Sequence, residues 1–182
     1  MTDSGVSSYR LNLADPAAFE YVVRTYSEPL IRYAYSIAHS SAIAEDAMED
    51  AFAALLVRGG RFGSMEQLRA WLYKTTRNKA VDYLRRHSRE VPLSDVEQVL
   101  ETADAQTDVL RREQREGVFR CMQQLPLQYR EVVQLYYLDS FQIAEVCKVL
   151  GKTRKQVYNM LARAKIALKE LLIQEGITYE EL

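Results

Sequence analysis

The chain has 182 residues, room for one ordinary domain or two small ones, and its 24 Lys and Arg against 25 Asp and Glu leave a formal net charge of −1 that neither selects nor excludes nucleic acid. Only seven Gly and four Pro, with no strictly alternating apolar segment, predict helices throughout and no strand. No run approaches the roughly 18 apolar residues of a membrane span, and the polar stretch Met1 to Arg10 lacks the apolar middle of a signal peptide, so no membrane insertion and a cytoplasmic location are expected.

Asp15-Pro16 opens the first predicted helix, Asp as cap and Pro in the first turn, with Phe19, Val22, Val23 and Tyr26 on its buried face. Pro29 predicts a break, with a new helix from about Ser27 carrying Leu30, Ile31, Ala34 and Ile37 inward. A helix from Ala42 to Val57 follows, with an acidic cluster of Glu45, Asp46, Glu49 and Asp50, and Gly59-Gly60 stops it. After a short loop, Ser64-x-x-Gln67 has the capping-box form and opens a helix to about His87 whose core contacts are Leu68, Trp71, Leu72, Val81 and Leu84. Residues 88 to 107 have no sustained period, contain Pro92 and lean acidic, which predicts a linker between domains.

Beyond the linker, a helix from about Asp108 carries Val118, Phe119 and Met122 to a break at Leu125-Pro126. Another carries Val132, Val133, Leu135 and Tyr136 inward. A short helix then ends at Leu150, Gly151 makes a turn, Thr153 caps, and a long helix runs to about Ile173 with Val157, Leu161, Ala164 and Leu168 inward, which fits a helix-turn-helix. The last residues, Gln174 to Leu182, read as a short tail without a further domain.

Charge is arranged in zones. Nine basic residues and only Glu66 and Asp82 as acids lie between Arg58 and Arg89, and seven basic residues and no acid lie between Lys148 and Lys169. Two basic zones separated by acidic ones predict two phosphate-facing surfaces. In the second zone Arg154, Lys155, Tyr158, Asn159 and Arg163 are placed to face a major groove, where Arg pairs with guanine and Asn with adenine, while Lys152 and Lys165 suit phosphates. The plain alternative is the solvated face of an amphipathic helix; the absence of acid favours DNA.

Cys121 and Cys147 stand apart without nearby His, His39 and His87 stand alone, and there is no nucleophile and base set or glycine-rich phosphate loop. No metal, cofactor or catalytic role is therefore expected.

Leu125-Pro126 through Arg130-Glu131-Val132-Val133, Glu145-Val146, Leu150-Gly151 and Thr153 to Ala164 resemble the promoter-binding domain of the extracytoplasmic function (ECF) sigma factors of bacterial RNA polymerase. Ala44-Glu45-Asp46-Ala47 through Phe52, Leu68-Arg69-Ala70-Trp71-Leu72-Tyr73 through Asn78, and Asp82-Tyr83-Leu84-Arg85-Arg86 resemble that family's other domain. The resemblance implies an all-α protein of two small helical domains joined by a flexible linker: a region 2-like domain over 12–88, an acidic linker over 89–107 and a region 4-like helix-turn-helix domain over 108–176. It implies core RNA polymerase, promoter DNA and an anti-sigma factor as partners.

By the same resemblance, Glu45, Asp46, Glu49 and Asp50 meet the clamp helices of the polymerase beta-prime subunit, the second domain meets the beta flap, and the loop from Arg58 to Gln67 holds a base flipped from the minus-ten element. Arg61, Phe62, Arg69, Lys74, Arg77, Asn78, Arg85 and Arg86 are the candidate minus-ten contacts. Lys152, Thr153, Arg154, Lys155, Tyr158, Asn159, Arg163 and Lys165 are the candidate minus-thirty-five contacts. Trp71 reads as core rather than as a second stacking platform, Tyr73 and Tyr83 read either way, and the acidic cluster also reads as a solvated face at a helix N-terminus. Tyr158, Asn159, Met160 and Ala162 stand where the family commonly has Lys, Ser, Arg and His, which predicts weaker nonspecific DNA affinity. A stand-alone helix-turn-helix regulator, which would bind a palindromic duplex without polymerase, is the competing class, with an enzyme carrying such a domain behind it.

Overall fold

A computed structural model describes residues 15–59, 62–87 and 109–177. Among the described residues the regular structure consists of seven α-helices and one π-helical turn, with no strand. The chain folds as two compact units, the first holding helices α1 to α3 and the second α4 to α7 apart from the last three residues of α6. The expected linker over 89–107 lies outside the described residues.

Helix α1 (Pro16–Ala38) begins as its sequence dictates: Asp15 accepts a hydrogen bond from the Ala17 N–H at 3.0 Å and Pro16 occupies the first turn. The expected break at Pro29 does not occur, and the helix continues through it. Proline there removes the bond to the Thr25 carbonyl and costs about 3 kcal/mol. The turns beyond it carry Leu30, Tyr33, Ala34 and Ile37, all buried to 1 % exposure or less. Burial of each large side chain among them contributes about 1.5–3 kcal/mol, so tertiary packing outweighs the proline. His39, in the left-handed conformation, ends the helix by donating its N–H to the Tyr35 carbonyl.

Helix α2 (Ser41–Arg58) is capped by Ser40 and closed by Gly59 at φ 69°. Its inward face is Ala44, Ala47, Ala51, Phe52 and Leu55. Three alanines with no exposed surface let α1 and α3 approach its backbone closely. Helix α3 (Met65–His87) starts at Ser64, whose hydroxyl accepts from the Gln67 N–H, while Gln67 Oε1 accepts from Gly63 rather than from Ser64 itself. Leu68, Leu72, Tyr73, Thr76 and Ala80 face the core, and Tyr73 settles there against Tyr33 with ring centroids 5.1 Å apart. Of the expected core set, Leu68 and Leu72 are buried, whereas Trp71, Val81 and Leu84 are only half-buried.

In the second unit α4 (Val109–Gln124) is followed by α5 (Leu127–Val133), which passes directly into the π turn Gln134–Leu138. The Asp139 N–H reaches back five residues to the Gln134 carbonyl, and Ser140 at φ 53° lets the Phe141 N–H reach the Leu135 carbonyl. Leu135 stays buried as expected, but Tyr136 emerges 37 % exposed, since the wider turn rotates the residues after it outward. Helix α6 (Ile143–Leu150) is fixed at its start by Glu145, which accepts from the Gln142 N–H at 2.8 Å. Gly151, at φ 64°, reverses the chain into α7 (Arg154–Gln174).

Candidate nucleic-acid and polymerase interfaces

The entry to α7 is a reciprocal cap. Thr153 Oγ1 accepts from the Gln156 N–H at 3.3 Å, and Gln156 Oε1 accepts from the Thr153 N–H at 2.8 Å. Val157, Leu161, Ala164, Leu168 and Leu172 form one buried stripe, the expected set extended by one turn. At about 100° per residue this turns Lys155, Tyr158, Asn159 and Arg163 away from the core, with Arg154 and Lys165 flanking them. All six, and Lys152 and Thr153 before them, are exposed. The helix therefore offers a guanidinium, an amide and a phenol along one face, groups matched to base edges, with ammonium groups beside them suited to phosphates.

The cationic side of the first unit lies on α3. Lys74, Asn78 and Arg85 fall within about 40° of one another around the helix axis and are exposed; Arg77, half-buried, sits at the edge of that stripe. Arg69 is half-buried and Arg86 exposed, on either side of it. Arg85 pairs with Asp82 at 3.1 Å, an exposed contact of small energetic weight. Arg61 lies outside the described residues.

Phe62, one of the candidate minus-ten contacts, does not project into solvent. It is 5 % exposed, its ring 5.7 Å from that of Trp71 at an interplanar angle of 60°. The Arg58 guanidinium covers both rings, 4.8 Å from the Phe62 centroid and 5.2 Å from that of Trp71. Arg58 is not among the sequence candidates; a cation ending a helix four residues before an aromatic is the signal that points to it.

On α2 the exposed side begins with Glu45, Asp46 and Glu49 and ends with Ala53, Leu56 and Val57, the last 90 % exposed. Asp50 differs from its acidic neighbours. Its Oδ2 pairs with Lys79 Nζ at 3.0 Å and accepts from the Tyr83 hydroxyl at 3.3 Å, tying α2 to α3. The Asp50 charge is the main reason that the Tyr83 phenol is raised above its ordinary pKa, with burial adding to it. Lys79 and Tyr83 are partners of Asp50 that no local pattern reveals, since they lie 29 and 33 residues from it.

The described residues contain no cluster of His, Cys, Asp or Glu suited to a metal ion, and no described helix is long and apolar enough to cross a membrane.

Residues 22–90 match the family described as Sigma-70 region 2, and residues 115–168 match Sigma-70, region 4. The ECF RNA polymerase sigma factor SigM of Bacillus subtilis (strain 168) is 26 % identical over 152 residues, covering 82 % of this chain and 92 % of the relative. SigM of Mycobacterium tuberculosis (strain ATCC 25618 / H37Rv) is 29 % identical over 158 residues, covering 87 % and 79 %. The fold is shared with the sigma factor RpoE of Bartonella quintana, crystallised with the anti-sigma factor NepR, at a TM-score of 0.67 and 22 % identity over 85 % of this chain and 96 % of that one. Both sigma regions, in their family order, on two helical units of which the second carries a capped helix-turn-helix, place the chain among the ECF sigma factors of RNA polymerase.

Proposed function

We propose a division of this sigma factor's work between its two units. The first docks on the clamp helices of core polymerase through the exposed side of α2, where Glu45, Asp46 and Glu49 supply charge and Leu56 and Val57 supply apolar area. It holds the melted minus-ten strand with Lys74, Arg77, Asn78, Arg85 and Arg86, aided by Arg61, Arg69 and the aromatic pair Phe62 and Trp71. The second unit lays α7 in the minus-thirty-five major groove, Arg154, Lys155, Tyr158, Asn159 and Arg163 reading base edges and Lys152, Thr153 and Lys165 engaging the backbone, and meets the beta flap. Phosphodiester chemistry belongs to the polymerase.

The observation that supports this reading is the two-sidedness of α7: a continuous buried stripe opposite a row of exposed cationic, amide and phenol side chains. Opening a duplex costs a few kcal/mol per unstacked step, which the strand contacts of the first unit would offset. An anti-sigma factor that covers these faces is proposed by analogy with the Bartonella quintana complex. Such a partner would hold the protein inactive until a signal removes it.

The test is transcription in vitro with bacterial core polymerase on fragmented DNA from the source genome, mapping starts with and without the protein. Discrete new starts sharing two upstream motifs are expected. Binding to a palindromic duplex in the absence of polymerase, with no new starts, would instead mark a stand-alone regulator.

A further inference from the structure

Asp50 Oδ2 collects two donors from α3, the Lys79 ammonium at 3.0 Å and the Tyr83 hydroxyl at 3.3 Å. An ammonium and a phenol converging on one anionic oxygen are also the donors that hold a phosphate oxygen, so the carboxylate fills what is chemically an anion site. Asp50, Lys79 and Tyr83 are all half-buried, within reach of a ligand from solvent. The charge of Asp50 raises the Tyr83 phenol above its ordinary pKa, which keeps it a donor. Lys79 and Arg86 both lie on α3, and at about 100° per residue the spacing from 79 to 86 brings them within about 20° of each other around its axis. The two donors thus stand in line with a cation already proposed to hold the strand.

With side chains 43 % and 39 % exposed, the Lys79–Asp50 pair is screened by water and weakly held. Asp50 also stands one turn beyond Asp46 on α2, beside the side proposed to dock, where a partner's cation draws its carboxylate away from α3. We propose that Lys79 Nζ and Tyr83 Oη form a binding site for one backbone phosphate of the melted strand, and that Asp50 holds this site closed as an internal anion until its carboxylate is engaged from outside. This rests on the readings of α2 as the docking element and α3 as the strand-holding element. The free protein then has one phosphate contact fewer than the holoenzyme, and stray single strands bind it correspondingly less well.

The test uses the free full-length protein and the holoenzyme assembled with core polymerase, each titrated over a salt series with an end-labelled single-stranded oligonucleotide spanning the minus-ten element of a promoter mapped as above. Binding is followed by anisotropy. In the free protein Asp50→Asn should raise affinity about two- to fivefold, the worth of one exposed ion pair. It should also steepen the salt dependence by about 0.7, the value for one more phosphate on a single strand. Lys79→Met should change little in the free wild-type background and erase the gain in the Asp50→Asn background. Glu49→Gln, which removes an equal charge from α2 without opening the site, should give no such steepening. In the holoenzyme Lys79→Met should flatten the salt dependence by about 0.7, and Tyr83→Phe should weaken binding less than Lys79→Met does.

An Asp50→Asn gain that survives Lys79→Met, or that Glu49→Gln reproduces, is a general effect of charge and overturns the closed site. A free Asp50→Asn protein that binds no better than wild type does the same. The holoenzyme arm stands apart from any loss of folding in Asp50→Asn, since Lys79→Met leaves that carboxylate in place. Lys74→Ala, on the exposed stripe of α3, separates the two levels. If it weakens holoenzyme binding while Lys79→Met does not, the phosphate site falls and the strand-holding reading stands; if neither weakens it, both fall.

Discussion

Thr153 stands at the point where fold and function meet, and replacing it by Ala separates the two. The side chain is exposed, so almost no apolar burial is lost. What disappears is the bond from the Gln156 N–H to Thr153 Oγ1, while Gln156 Oε1 keeps its bond to the backbone N–H of position 153. Loss of a helix cap costs about 0.5–2 kcal/mol. Because the orphaned N–H is reached by water and half of the reciprocal cap survives, the lower half of that range applies, about 0.5–1 kcal/mol. For a unit of this size the melting midpoint should fall by about 2–8 °C. Far-UV circular dichroism sees both units, whereas Trp71, the chain's single Trp, lies on α3 and reports the first unit. The dichroism transition should shift while the Trp71 transition stays, and Thr153→Ser or Thr153→Asn should restore it. An unmoved dichroism midpoint, or equal movement of both signals, would refute the capping argument. Thr153→Asn also keeps the cap while changing the exposed side chain, so promoter affinity in that variant tests the proposed backbone contact apart from the cap.

Gly117→Ala sets two effects against each other: the helix gains about 1 kcal/mol of propensity, but the added Cβ would stand 2.5 Å from Ile177 Cδ1. Near-neutral stability is expected, with the gain appearing in the Ile177→Ala background; a denaturant double-mutant cycle showing no coupling would refute the contact. Arg163→Ala should cost holoenzyme about 1–3 kcal/mol at its own promoter and relax sequence preference there, whereas Lys165→Ala should weaken all sequences alike and reduce the salt slope by about one. Filter binding over a salt series checks both. The Tyr83 phenol, raised mainly by Asp50, stays protonated in the folded chain after an ordinary Tyr has ionised. Its stabilising effect is therefore complete below the usual tyrosine range and lost as pH climbs through the raised value; in Asp50→Asn the Cζ resonance of Tyr83 should titrate at lower pH. Cys121 is fully buried and burial pushes its thiol up, so in mildly alkaline solution a thiol reagent should label half-buried Cys147 first; prior labelling of Cys121 would contradict the packing of α4.

Features that depend on a few neighbouring residues were legible in the sequence. Asp15-Pro16, Ser64-x-x-Gln67 and Gly151-x-Thr153 each place a helix end, because a cap is made by residues two or three apart and carries its own chemistry. The inward stripe of α7 was equally legible, since one helical period fixes which residues share a face. Pro29 and the π turn were not. In both, a local preference is overruled by what the distant side of the unit gains when Leu30 and Ile37, or Leu135 and Phe141, are buried. A rule about three residues has no access to that term.

The acidic cluster marks the same boundary within the site itself. In sequence, Glu45, Asp46, Glu49 and Asp50 are two equivalent pairs one turn apart on one helix. The fold makes them unequal: the Asp50 carboxylate already has a cation and a phenol donor from α3, so any incoming cation would have to compete with Lys79. Asp50 thus serves first to set α3 against α2, fixing the exposed cationic stripe of α3 relative to the exposed side of α2 within one unit. Val57 and Leu56 carry the opposite lesson, because no dipole or cap accounts for apolar side chains 90 % and 58 % exposed at the far end of the same side. On the proposed reading of α2 as a docking helix, it is this exposed apolar end, more than the charges, that favours docking over a merely solvated face.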